Sequence, residues 1–404
     1  MSIMRFIHAA DLHLGTPFQG LTHLPENIMQ ALQDAPYQAY DQLITYALEK
    51  DADFVCLSGD IYDQGGLNIK AQVRFKQGLD RLNEKGIPAI VLYGNHDYLI
   101  SKDRVLPYPE NTYLLSSEGD TIELTLKNGE RVAISGFSYA SRYIKEERID
   151  DLPDRLPDVD YHIGMWHGQV ESVVSENNPY APVTLSDLIR KDYDYWALGH
   201  IHKRHALNED HTIQYSGCIQ GRHINEPGMK GIYLVESQQG QLVSQFLPTS
   251  PIIFEPLHCH FDRPVSDLET VYQAIEEKMN AIQSDSRKVL VRIILSFDYA
   301  PKSAIYQQIN DPSFKEAFSR ILAADHFYWV FDLEWTVKNE DHWQTHFIHA
   351  DDQDLRELVA DIKEQHIFEA ETAELFDKLS VNDYYQDFDE EKIDDILTKA
   401  LKWL

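Results

Sequence analysis

Five short motifs hold the residue types that a hydrolytic metal centre uses: Asp11-Leu12-His13, Gly59-Asp60-Ile61-Tyr62-Asp63, Gly94-Asn95-His96-Asp97, His167-Gly168 and Gly199-His200-Ile201-His202. Imidazoles and carboxylates suit borderline or hard divalent cations, and no thiolate accompanies them, which makes manganese the first expectation. In an extended segment residues i and i+2 face the same way, so Asp11 with His13, and His200 with His202, can each reach one point. Two metals roughly 3.5–4 Å apart need a bridging carboxylate. Asp60, on a tight Gly-Asp turn, is the natural one, and Asn95 offers a neutral carbonyl oxygen. With Asp11 and Asp60 as the anionic ligands, two divalent cations keep a net charge of about +2, which attracts a phosphodiester and acidifies bound water. Any one of these motifs alone is a common turn or strand end; their order along the chain carries the reading.

Each motif falls just past a strand-like run. Residues 3–10, 53–58 and 87–93 read as short buried strands, while 27–50 and 67–85 carry helical periodicity through Leu43, Ile44, Ala47 and Leu48 and through Val73, Phe75, Leu79 and Leu82. The resulting β-α-β-α-β order predicts a parallel sheet with helices on its faces, and ligands in such sheets bind beyond the carboxyl ends of the strands. Further strands are expected at 161–166, 195–199, 212–216 and 231–235, extending the layered core to about residue 250. From residue 251 to 345 a strand, a helix opened by a Ser266 to Glu269 capping box, and strands at 289–297 and 327–337 predict a smaller α/β capping domain. Residues 346–404 read as an acidic helical tail, a possible docking element for a partner.

Composition bounds the function. Hydrophobic residues at 43% and aromatics at 11% of 404 residues exclude wholesale disorder. Cys56, Cys218 and Cys259 are widely spaced, which argues against both a disulfide framework and a thiolate zinc site. No apolar run is long enough to span a membrane, and the strand-like start leaves no room for a signal peptide, so the cytoplasm is the expected compartment. The net charge of −30 opposes a nucleic-acid partner, although residues 351–404 alone hold 17 acidic against 6 basic side chains.

Around the metal ligands, His96 is the candidate general acid or charge stabiliser, Asp97 is expected to orient it, and Asp63 is read either as a partner behind the ligands or as a helix N-cap. His8, His162, His205 and His211 read as ordinary histidines. His258 and His260 flank Cys259 at i, i+2 spacing and are read as strand residues.

The five blocks, in this order, resemble the calcineurin-like metallophosphoesterase pattern D-x-H, G-D-x-x-D, G-N-H-D/E, H and G-H-x-H across roughly residues 4–235. The resemblance implies a layered β-sandwich flanked by helices. It also implies that Asp11, His13, Asp60 and His202 hold one metal while Asp60, Asn95, His167 and His200 hold the other. Residues 194–203 with Tyr215-Ser216-Gly217 are similar to SbcD-type DNA repair nucleases, and residues 221–226 to a YhaO-like branch of them. Ser216 and Cys218 depart from the Tyr-Pro-Gly-Ser/Asn turn usual there. That likeness implies a DNA exonuclease, an SbcC-like ATPase partner, a homodimer and phosphate contacts by Arg222 and His223. The chain has no GxxxxGK[ST] motif, so any ATP-driven step belongs to another polypeptide. A stand-alone phosphatase, a cyclic-nucleotide phosphodiesterase and a non-catalytic DNA-end-binding scaffold are the alternatives.

Overall fold

Alternation along the first strands decides how the molecule is layered. The computed structural model describes residues 3–18, 21, 24–63, 68–98, 106–171, 180–282, 288–323 and 326–338. The chain begins β1 (Arg5–Ala9), α1 (Glu26–Glu49), β2 (Phe54–Ser58), α2 (Ile69–Glu84), β3 (Ala89–Leu92) and β4 (Thr112–Leu114). Because side chains alternate between sheet faces, Ile7, Ala9, Val55, Leu57, Ala89 and Val91 share one face. They pack under Tyr40, Leu43 and Ile44 of α1 and Phe75, Leu79 and Leu82 of α2. The opposite face presents Phe6, Phe54, Cys56, Ile90 and Leu92.

That second face meets another sheet, built from β5 (Asp120–Thr125), β6 (Arg131–Gly136), β7 (Tyr161–His167), β10 (Tyr195–Gly199), β11 (His205–Ala206) and β12 (Ile213–Tyr215). Between β7 and β10 lie the short pair β8 (Val170–Glu171) and β9 (Val183–Thr184) and helix α3 (Leu185–Arg190), while β13 (Gly231–Gln238) and β14 (Gln241–Pro248) follow β12. The two six-stranded sheets run β14-β13-β1-β2-β3-β4 and β11-β12-β10-β7-β6-β5. Val132, Ile134, Ile163, Met165, Tyr195 and Ala197 of the second close the sandwich core against the first, where Phe6 and Phe54 stack at 4.9 Å. The outer face of the second sheet buries Trp166, Trp196, Leu198 and Tyr215 with Leu188 of α3. β1, β2 and β3 are mutually parallel, as are β6, β7, β10 and β12.

The remaining elements are β15 (Ile252–Phe261), α4 (Leu268–Ile282), β16 (Lys288–Phe297), α5 (Ser303–Ile309), α6 (Pro312–Glu316), β17 (Arg320–Ala323) and β18 (His326–Val337), with sheet order β15-β16-β18-β17. Helix α4 is capped by Asp267, whose carboxylate accepts from the Thr270 N–H at 2.9 Å, and not by the Ser266 expected from the capping box. The described chain clusters into two compact units. One holds residues 3–256 with 288–292 and 319–331, and the other holds 257–282, 293–318 and 332–338. The chain thus re-enters the first unit after residue 256, which differs from a single boundary at 250. The expected tail, 346–404, lies outside the described residues. No described helix is long and apolar enough to cross a membrane.

One buried polar group in the sandwich gives a pH-dependent signature. His8 is fully enclosed: its Nε2 donates to the Leu198 carbonyl at 3.1 Å, and its Nδ1 accepts from the Tyr195 hydroxyl at 2.9 Å, which in turn accepts from Gln214 Nε2. Burial holds this ring neutral, with its pKa pushed down to about 3 from 6.5. The unfolded chain therefore takes up a proton that the folded chain refuses. The contribution of His8 is fully present above pH 6.5 and is lost on acidification, at no more than about 1.4 kcal/mol per pH unit. Urea unfolding of wild type and His8→Gln at pH 7.5, 6.5 and 5.0 should show the stability gap between them narrowing as pH falls; a constant gap would refute the neutral, buried state.

Candidate metal centre

The strands β1, β2 and β10 end in corners that ordinary residues avoid. Asp11 (φ 52°), His13 (45°), Asp60 (51°) and His200 (97°) all occupy left-handed backbone, which costs on the order of 1 kcal/mol or more at each residue. Interlocking hydrogen bonds hold them there. Asp11 N donates to Gly59 O at 3.0 Å, His13 N to Asp60 O at 2.9 Å and Leu14 N to Ile61 O at 2.9 Å. The His200 N–H is shared between both oxygens of Asp11, at 3.1 and 3.2 Å. The motif glycines leave space for one ring: a Cβ on Gly59 would stand 2.3 Å from His167 Nδ1, on Gly94 2.5 Å from its Nε2, and on Gly199 2.9 Å from Nδ1.

The corners bring all seven expected ligands together at one end of the sandwich. Ligating atoms of Asp11, His13, Asp60 and His202 lie within 4.8 Å of one another. His13 Nε2 and His202 Nε2 approach to 3.1 Å, with Asp60 Oδ2 3.7 Å from the first and Asp11 Oδ1 3.9 Å from the second. Beside this group, the Asn95 Oδ1 lies 3.1 Å from both His167 Nε2 and His200 Nδ1, and Asp60 Oδ1 lies 3.4 Å from His167 Nε2. Asp60 thus turns one oxygen to each cluster. The donor chemistry fits cations at both places. His167 Nδ1 donates to the Ser58 carbonyl at 2.9 Å and His202 Nδ1 to Glu226 Oε1 at 2.6 Å, so each ring keeps its Nε2 for the cluster, as a lone pair once that nitrogen is unprotonated. Such convergence of acceptors is repulsive without a cation.

Burial shapes the protonation of the group. His13 and His200 are each pushed down to about 3, chiefly by desolvation, which keeps them neutral as ligation requires. Desolvation also opposes the charge on His167, but Asp60 overrides it and lifts the ring to about 9. Burial would likewise raise Asp60, yet His167 and His13 hold it well below the usual carboxylate range.

Around this core the structure redistributes the expected roles. His96, about a third exposed, pairs through Nδ1 with Asp63 Oδ1 at 3.1 Å, and that hydrogen bond raises its pKa. Asp63, not Asp97, orients His96. Asp97 turns inward, fully buried, and accepts from the N–H groups of Ile61 (2.5 Å), Tyr62 (3.0 Å) and Gly94 (2.7 Å), which pins two ligand loops to each other. Among the described residues Asp63 caps no helix; Asn68 caps α2. The Arg222 guanidinium lies 3.0 Å from His202 Nδ1 and 3.9 Å from Asp63, at the edge of the first cluster. His223, half exposed, lies 3.3 Å from Glu226. Glu226 itself had no assigned role in the sequence; it stands 24 residues beyond His202 with no motif to mark it. His8 is buried and hydrogen-bonded inside the sandwich, His162 is buried on the outer face of the second sheet, bonded to Ser135 and stacked on Tyr193, and His205 is exposed on β11. His211 is exposed in the turn before β12. His260 Nδ1 meets Ser296 Oγ at 2.9 Å, while His258 is exposed on the same strand.

A family model for the calcineurin-like phosphoesterases matches residues 4–204. The chain is 34% identical over 345 residues to the uncharacterized metallophosphoesterase YhaO of Bacillus subtilis, covering 83% of both chains. It is 30% identical over 324 residues to the DNA double-strand break repair protein Mre11 of Sulfurisphaera tokodaii, covering 77% of this chain and 78% of that one. The protein of the same name from Methanococcus maripaludis is 26% identical over 309 residues, 71% of this chain and 77% of the relative. With the sandwich, the five strand-end motifs and these relatives in agreement, the chain belongs to the calcineurin-like metallophosphoesterases.

Proposed function

We propose that this protein is a metal-dependent DNA nuclease that hydrolyses phosphodiester bonds in DNA repair, working with an SbcC-like ATPase. The observation that carries the hydrolytic part is Asp60, one carboxylate turned toward two clusters of acceptors. Asp11, His13, Asp60 and His202 would hold one divalent cation and Asp60, Asn95, His167 and His200 a second, with manganese the best match to this donor set. The pair would supply Lewis acidity and positive charge for the phosphodiester. His96, held by Asp63 and open to solvent on one side, is placed to give a proton to the leaving oxygen. Arg222, with His223 beside it, is placed to meet a phosphate oxygen. The DNA assignment rests on the two relatives named for double-strand break repair. It must contend with a net charge of −30, which a basic partner surface would offset. In the same reading the protein is a cytoplasmic homodimer, and residues 346–404 dock the ATPase.

Three outcomes test this. Metal analysis should find about two manganese ions per chain in the wild type and close to none in Asp60→Ala; full retention in the variant would remove Asp60 from its bridging place. His96→Gln should keep its metal content and lose at least ~100-fold in turnover of bis-p-nitrophenyl phosphate; loss of metal as well would make His96 a ligand. Assays on single- and double-stranded DNA, with and without the ATPase, should show manganese-dependent cleavage. Hydrolysis of phosphomonoesters or cyclic nucleotides with no DNA cleavage under either condition would favour a stand-alone phosphatase or cyclic-nucleotide phosphodiesterase.

A further inference from the structure

Glu226 is buried, with 6% of its surface exposed, in the loop between β12 and β13. A carboxylate in such a place is costly unless every lone pair has a partner. Its two oxygens face different groups. Oε1 accepts from His202 Nδ1 at 2.6 Å, and Oε2 accepts from the backbone N–H of Arg222 at 2.7 Å. Oε1 also lies 3.6 Å from Arg222 Nη2 and 3.3 Å from His223 Nε2. The His202 Nδ1 is approached by the Arg222 guanidinium as well, at 3.0 Å. The guanidinium can only donate, so the Nδ1 proton goes to the carboxylate. The ring's Nε2 lone pair then faces His13 Nε2 and Asp11 Oδ1.

The loop is built to deliver this carboxylate. Glu226 N donates to His223 O at 3.0 Å. Gly221 packs so closely under it that a Cβ there would come 2.8 Å from Glu226 O. Cys218, the departure from the usual turn, puts its thiol 3.9 Å from Glu226 Oε2 and 3.6 Å from His202 O, and its N–H donates to His202 O at 3.2 Å. The segment 216–226 therefore folds back on the Gly199–His202 motif.

We propose that Glu226 is a positioning residue of the metal centre: it fixes the tautomer and direction of His202 and, through the same carboxylate, seats Arg222 at the rim. This rests on the reading of His202 as a metal ligand. It assigns one buried group to two steps of function, cation affinity and diester binding. Carboxylates behind ligating imidazoles contribute about 10- to 100-fold in metal affinity.

The test titrates manganese into the full metal-free chain by calorimetry and measures bis-p-nitrophenyl phosphate kinetics at saturating metal. Glu226→Ala should bind its weaker manganese about 10- to 100-fold less tightly and should raise KM more than it lowers kcat. Glu226→Gln, whose single amide oxygen can accept from His202 Nδ1 or from the Arg222 N–H but not from both, should recover part of the losses. Manganese affinity and KM equal to wild type in folded Glu226→Ala overturn the proposal. Should that variant fail to fold, by circular dichroism, Glu226→Gln decides alone: weakened affinity supports the inference and wild-type affinity overturns it. If the wild type itself binds no manganese, the metal reading fails and the role of Glu226 falls with it. Wild-type binding with no effect of either variant sinks only the role of Glu226.

Discussion

A single carboxylate sets the terms for the functional end of this molecule. Asp60 is enclosed, sits on left-handed backbone, accepts the His96 N–H at 2.9 Å and turns its oxygens to His13 on one side and His167 on the other. Removing its charge would leave the imidazoles it faces without a counter-charge in a buried place. The surrounding features follow from that demand. Glycines at 59, 94 and 199 clear space for the His167 ring, Asp97 ties the Asp60 loop to the Asn95 loop, and Asp11 gathers the His200 N–H.

The two sheets contribute different halves of the constellation. Asp11, Asp60 and Asn95 follow β1, β2 and β3, whereas His167 and His200 end β7 and β10. The acidic and neutral oxygens thus come from one layer and most imidazoles from the other. Contacts such as His167 Nδ1 to Ser58 O and His200 N to Asp11 cross between the layers, so the register of one sheet on the other fixes the electrostatics of the site.

Much of this arrangement was legible in the residues alone. Helices α1 and α2 and strands β1, β2, β3, β7 and β10 follow patterns with a uniform meaning, an apolar helical face or a short, nearly continuous apolar run. β4, β5 and β6 were not read. β5 is half exposed and its sequence, Asp120-Thr-Ile-Glu-Leu-Thr, gives only two apolar side chains at alternating positions between polar flanks. The partner of His96 was misread for a geometric reason. Asp97 is adjacent in sequence, but on a tight turn neighbouring side chains diverge, and the carboxylate that reaches His96 comes from the Asp60 loop. Glu226 was invisible because its relation to His202 exists only once the 216–226 loop folds back. No spacing encodes that approach.

The interior of the sandwich is sealed along its length by aromatic and aliphatic side chains, yet at one end its closure is made of carboxylates, imidazoles and backbone corners held against their own preferences. Folding therefore works against function at that end. Substitutions that relax those corners without orphaning a buried charge would make the fold more robust while emptying it of chemistry. A lineage of this chain released from selection on catalysis would drift first at His13 and His200, and toward greater thermal resistance as it did so.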